Sequence, residues 1–237
     1  MPEVIAFITM FVATFIQGAI GFGSALIAMP ILIQLLGIPV AAPLFAIVAQ
    51  TGGLMTILHY RQSLRLRSIW RLILSAFIGI VPGITLARLV DEHFAMWVLG
   101  IIIILYSLYA LLSPRLPEIK DKRWAYAFGF LYGLLHGAYN TGGPPIVIYG
   151  NTQRWNTAEF KSNLQAMFFT SGLFVVAMHA FVKQSLTPQV LHYYVILVPA
   201  TLGGLLLGYQ LDRVLKPETF RKLVLIMLIV LGVTLIV

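Results

Sequence analysis

Apolar residues fill eight runs along the chain, 4–36, 40–60, 72–90, 94–112, 125–150, 162–182, 188–211 and 223–237, and polar residues crowd into the short segments between them. Six of the runs have ordinary length, and all of these but the last approach the ~20 residues that cross ~30 Å of hydrocarbon as a helix. The pattern predicts an all-α integral membrane protein. Segments of about ten residues with alternating hydrophobicity, the signature of an outer-membrane barrel, do not occur, so the inner (cytoplasmic) cell membrane is the expected location. The runs 4–36 and 125–150 differ from the rest. Each carries a helix-breaking cluster in its middle, GAIGFG at 18–23 and NTGGPP at 140–145. A glycine inside a helix costs about 1 kcal/mol relative to alanine, so Gly18, Gly21 and Gly23 within six residues of an apolar run need a reason.

Composition narrows the class further. Of 237 residues, 59% are hydrophobic and 10% charged, and the mean hydropathy is +0.92, far from the half-wet surface of a soluble domain. The net charge of +8 is carried largely by short loops, where Lys and Arg orient membrane spans, so the lipid bilayer and not a nucleic acid is the expected partner. The sequence has no cysteine, which excludes a thiol–disulfide relay and a thiolate metal site, and neither cofactor nor metal is expected. The start MPEVIAFITM lacks a basic leader region and no small-residue cleavage site follows, so the first run is expected to be a retained part of the fold.

The 16 basic residues discriminate between two topologies. If every run crosses once, they divide nine to seven. If each broken run returns to the side it entered from, fourteen share one side, in the loops at 61–71, 115–123, 154–161 and 213–222, and only Arg88 and Lys183 lie opposite. The second division follows the positive-inside rule, so two returning hairpins are predicted, with the fourteen in the cytoplasm. Residues 4–17 as a helix span about 21 Å, which would carry the first break past the bilayer midplane.

The chain also resembles itself. GAIGFGSA at 18–25 aligns with GAYNTGGP at 137–144, and VPGITLARLVD at 81–91 resembles VPATLGGLLLGYQLD at 198–212, at offsets of 119 and 117 residues. Each half reads as one broken, returning hairpin plus three transmembrane helices. Three crossings is an odd number, so the halves are predicted to be inverted repeats: 1–112, a cytoplasmic linker at 113–124, and 125–237, together one transport domain.

Backbone that leaves the helix inside a bilayer survives only where it is buried in protein or lines a wet cavity. Gly21 and Gly23 let the chain turn around Phe22, and the next half-helix then starts near Ser24 with free N–H groups and a positive dipole end. In the second cluster Asn140 and Thr141 are good N-cap types, Gly142 and Gly143 free the backbone, and Pro144–Pro145 can open a half-helix. Two positive poles facing each other near the midplane would receive a small anion on backbone donors, without a buried lysine. The competing role for these glycines is close helix packing, the role expected of Gly203, Gly204 and Gly208. Two clusters at matching places, one followed by tandem proline, favour the receptor. A dinucleotide site is the weaker reading of GAIGFG, because the glycine spacing is wrong and no strand precedes it.

Gln17, Gln50, Thr51, Asn163, Gln165, Thr170 and Ser171 lie near the breaks or on the span after each. Of these, Gln17, Gln50 and Gln165 are the candidates to complete an anion's coordination, with interhelical hydrogen bonding as the alternative. His136, one turn before the second break, would add a positive charge on protonation or serve as a packing histidine. His59 and His179 fall toward span ends and are assigned no role. Arg88 could attract anions at the outer mouth or snorkel to the interface.

The segments QGAIGFGSALIAMPIL and GLLHGAYNTGGPPIVIYG resemble the paired motifs of the TauE/SafE family, the sulfite exporters of bacterial and archaeal membranes, and the likeness covers essentially the whole chain. It implies transport of small sulfur-containing anions such as sulfite, sulfonates or sulfoacetate, and no matched residue selects among them. An enzyme is not expected, since HExxH does not occur and neither Ser24 nor Ser171 can be paired with a histidine from the sequence. A passive anion channel shares every feature read above with a carrier, and nothing in the sequence sets the oligomeric state.

Overall fold

The computed structural model describes residues 1–86, 92–112, 118–139, 143–182, 184–211, 214 and 216–236. The described residues form helices α1 (Pro2–Ile20), α2 (Ser24–Leu36), α3 (Ile38–His59), α4 (Leu66–Leu86), α5 (Glu92–Leu112), α6 (Trp124–Tyr139), α7 (Gly143–Thr152), α8 (Thr157–Ala177), α9 (Pro188–Gln210) and α10 (Pro217–Ile236), and no strand. This is the all-α membrane class that the apolar runs predict. Among the described residues, Pro2–Ile20, Pro39–His59, Leu66–Gly83, Thr157–Phe181 and Pro188–Gln210 are long and apolar enough to cross a bilayer. Both interrupted runs are divided as expected, the first into α1 and α2, the second into α6 and α7.

The chain forms two compact units, and each draws on both halves of the sequence: Met1–Leu64 with Lys161–Leu215, and Arg65–Phe160 with Lys216–Val237. In the first unit α1, α3 and α9 run parallel. Near the start of α1 and α9, Glu3 meets His192 at 2.9 Å, and further along Phe11 and Phe15 lie against Gly204 and Gly208. Between α3 and α9, Thr51 meets the Tyr194 hydroxyl at 2.8 Å, Gly52 faces Thr201 and Leu205, and Thr56 meets the Tyr209 hydroxyl at 2.7 Å. The part of α8 in this unit runs the other way, since Tyr60, Gly53 and Gln50 meet Lys161, Gln165 and Gly172 in that order. The half-helix α2 packs on α1 and α3, and Ala28 and Leu32 join Met10, Ala13, Leu44, Val48 and Leu197 in the buried core.

Small residues set these spacings. A methyl group on Gly18 would stand 2.8 Å from the Leu205 carbonyl oxygen, and one on Gly208 would stand 2.8 Å from the Ala19 nitrogen, so α1 and α9 touch backbone to backbone. Gly204 and Gly208 thus have the packing role expected of them. Gly203 does not, because a methyl group there would meet only the Phe11 ring at an ordinary 3.5 Å.

In the second unit α4 and α6 run parallel on a stripe of glycines. Gly129, Gly133 and Gly137 meet the backbone of Leu72, Ala76 and Ile80, while Gly79 and Gly83 meet that of Phe130 and Leu134. Helices α5 and α10 are antiparallel: Gly100 meets Gly232 and Ile236, and Gly232 meets Ile104.

Candidate functional site

The first break is built from two left-handed residues. Gly21 ends α1 at φ +96° and donates its N–H to the Gln17 carbonyl at 2.6 Å, and Gly23 caps α2 at φ +99°. That backbone region costs an L-residue roughly 1–2 kcal/mol, which is why both positions are glycine. Phe22 between them is buried, as are Gln17 and Ser24. Gly23 brings no side chain, so the N-cap residue of α2 makes no side-chain cap to its first N–H groups. The three glycines therefore have two reasons: Gly18 for packing, Gly21 and Gly23 for the turn.

The last turn of α1 ends in carbonyls, and α8 supplies their partners. Lys161 Nζ donates to the Gly18 carbonyl at 2.5 Å, and Gln165 Nε2, one turn further along α8, donates to the Gly21 carbonyl at 2.9 Å. Lys161, Ser162 and Asn163 are each 0% exposed, and the Lys161 ammonium also lies 5.6 Å from the centre of the Tyr60 ring. This corrects two expectations. Lys161 is buried in α8 beside the break and is not a loop residue, and the site is not free of a buried lysine. The cause is local: Asn156 Oδ1 accepts the Glu159 N–H at 2.9 Å and the Glu159 carboxylate reaches back to the Asn156 N–H, a reciprocal cap that starts α8 before Lys161.

With 19 residues α1 is about 28 Å long, and Lys161 and Gln165, which bond its terminal carbonyls, lie against Tyr60 and Gly53 near the end of α3.

Further polar groups gather along the same stretch. The Gln50 amide fits against Gly172 on α8, and its Oε1 is buried without a hydrogen-bond partner among the described residues. His59 stacks on Tyr209 with ring centres 4.4 Å apart, and Tyr60 stands edge-on to both. Thr170 and Ser171 donate to the Ala166 and Met167 carbonyls of their own helix, and Thr51 is held by Tyr194, so these three hydroxyls act within and between helices.

The second break belongs to the other unit. Asn140, Thr141 and Gly142 lie outside the described residues. Gly143 opens α7, with Pro144 and Pro145 buried in its first turn. The His136 ring stacks on Tyr132 at 5.4 Å, and its Nε2 is buried without a partner among the described residues. Of the residues the sequence singles out, Gln17, Gly21, Phe22, Gly23, Ser24, Gln50 and Gln165 thus lie in the first unit, where Gln165 meets Gly21, and His136 and Gly143 lie in the second. Lys161 and Tyr60 were missed. The signal for Lys161 was present in NTAE at 156–159, an Asn-x-x-Glu cap that places Lys161 and Gln165 on one face of the helix it opens.

Comparison with known proteins adds a family match. The family described as Sulfite exporter TauE/SafE matches residues 6–235. The chain is 28% identical over 233 residues to the probable sulfite/organosulfonate exporter TauE of Cupriavidus necator, covering 94% of this chain and 89% of that protein. It is 30% identical over 181 residues to a probable membrane transporter protein of Haemophilus influenzae, covering 71% of this chain and 70% of the relative. No solved structure matches.

Proposed function

The chain belongs to the TauE/SafE sulfite exporter family and is a membrane transporter, and from that premise we propose that it carries small sulfur-containing anions, sulfite or organic sulfonates, and binds them at the amino end of α2. One observation carries the site: two left-handed glycines open an uncapped half-helix N-terminus next to a buried ammonium. Free N–H groups and the positive dipole end of a helix are suited to an oxyanion, and sulfonate and sulfite present oxygens of that kind. The likeness to the Cupriavidus necator protein, whose name carries sulfite and organosulfonate, supports the substrate class. In the second unit Gly143–Pro144–Pro145 opens α7 in the corresponding sequence position.

Helix directions support returning hairpins and inverted halves. If every apolar run crossed once, α9 would follow α3 by five crossings and point the opposite way. With a returning second hairpin it follows by four, and α3 and α9 are in fact parallel. By the same count α5 and α10 should be antiparallel, as they are. The first spans after each break, α3 and α8, are antiparallel too, which is what inversion of equivalent elements requires. In the proposed topology the basic loops face the cytoplasm and the membrane is the inner one.

The test is anion binding by the purified protein in lipid nanodiscs, with sulfite and methanesulfonate as probes. Gly23→Leu is expected to abolish binding while the protein still inserts, because the side chain is strained at φ +99° and would enter the space before the α2 N–H groups. Unchanged affinity in that variant would return the break to a packing role.

A further inference from the structure

A broken helix places two opposite poles at one spot. The carbonyl end of α1 and the amide end of α2 each amount to about half a charge, of opposite sign, and only Gly21, Phe22 and Gly23 separate them. From a distance the two largely cancel. A bare break therefore suits a cation at its carbonyl end as well as an anion at its amide end, and discontinuous helices in transporters use carbonyl ends in this way to coordinate Na⁺.

Here the carbonyl end is already occupied. Lys161 Nζ lies 2.5 Å from the Gly18 oxygen, and Gln165 Nε2 lies 2.9 Å from the Gly21 oxygen. The two donors sit four residues apart on α8, and the two acceptors three residues apart on α1, so one helix face matches one helix turn. Desolvating an ammonium is costly unless partners replace its water. Lys161 is 0% exposed, and the Gly18 carbonyl and the Tyr60 ring face, 5.6 Å away, are among its partners.

We propose that the Lys161 ammonium is a tethered cation, filling the position at the end of α1 where a coupling ion would otherwise bind, so that the anion at α2 is bound without Na⁺. It offsets the carbonyl pole and leaves the amide pole of α2 unopposed, which makes the break selective for anions. Lys161 is in these terms a positioning and charge-selecting residue, and the inference rests on the reading of the α2 terminus given above.

The experiment uses the full chain in nanodiscs and two independent readouts. In the first, binding of methanesulfonate, a monoanion, and sulfoacetate, a dianion, is measured by calorimetry in Na⁺ buffer and in a bulky organic cation that cannot enter a coordination site. Wild-type affinity is expected to be the same in both buffers, and a requirement for Na⁺ overturns the inference without any variant. Lys161→Ala is expected to weaken binding by about tenfold or more, more for the dianion than for the monoanion, with partial recovery in Na⁺ or methylammonium; Lys161→Arg should keep Na⁺ independence. A loss equal for both anions that no small cation relieves overturns the inference, as does wild-type affinity in Lys161→Ala. The second readout is binding of radiolabelled Na⁺ with no anion present, expected in Lys161→Ala and absent in wild type; its absence in a folded Lys161→Ala protein overturns the inference. Should wild type bind neither anion, the substrate reading fails while the Na⁺ readout still decides the role of Lys161.

Discussion

Gly18 and Gly23 stand five residues apart and answer to different physics, which substitution separates. A methyl group at Gly18 would press on the Leu205 carbonyl from 2.8 Å, so Gly18→Leu is expected to lower the melting temperature of the detergent-solubilised protein by overpacking α1 against α9. Gly23→Ala introduces a side chain at φ +99°, at roughly 1–2 kcal/mol of backbone strain, and should lower anion affinity in the nanodisc assay. Equal effects of both substitutions on both measurements would remove the distinction. The position of this break was legible in GAIGFG, because glycines clustered in an apolar run weaken a continuous helix and suit a turn. That Gly18 packs while Gly21 and Gly23 turn was not, since a one-dimensional motif does not say which neighbour approaches. Lys161 was misplaced for a different reason: counting it among the loop charges ignored the Asn156–Glu159 cap, which starts α8 before it.

At the scale of elements, the apolar runs gave the spans closely, but the pairing of α4 with α6 came only with the structure. The glycines at 79, 83, 129, 133 and 137 are four residues apart within each helix, a small-xxx-small pattern whose partner lies about fifty residues away and leaves no local trace. Gly133 and Gly203 make the comparison that tests this packing. Alanine is the better helix former by about 1 kcal/mol, so where space allows, glycine to alanine should be neutral or stabilising. At Gly203 a methyl group would meet the Phe11 ring at 3.5 Å, an ordinary contact, whereas at Gly133 it would enter the Ala76 carbonyl. Gly203→Ala is accordingly expected to leave thermal stability unchanged or raised, and Gly133→Ala to lower it by about 1–3 kcal/mol. Stability unaffected at Gly133 would mean that α4 and α6 do not rely on backbone contact.

At the scale of the molecule, the proposed orientation makes Gln62, just after α3, and Gln189, near the start of α9, lie at opposite ends of two parallel helices, and both are exposed. With no native cysteine to interfere, Gln62→Cys should label with an impermeant thiol reagent only from the cytoplasm and Gln189→Cys only from outside; labelling of both from one side would refute the topology. A prediction about the direction of transport rests on the charges. All eight acidic residues fall at termini, in loops or at span ends, and of those described Glu3, Glu118 and Glu159 are engaged by His192, Arg154 and Arg65. Proton-driven carriers commonly use a carboxylate within the membrane as the relay, and among the described residues no acid stands in the middle of a span. If Lys161 also removes the need for a coupling cation, the membrane potential is left as the driving force. An interior-negative potential of about 100 mV favours outward movement of a monovalent anion by roughly 2.3 kcal/mol, and of a divalent one by about twice that. Anion efflux from proteoliposomes is therefore expected to rise with an imposed interior-negative potential in the absence of a pH gradient, and to rise more steeply for sulfoacetate than for methanesulfonate. Efflux that ignored the potential and followed a proton gradient would replace this picture with proton coupling, for which His136, with its buried Nε2, would be the first residue to substitute.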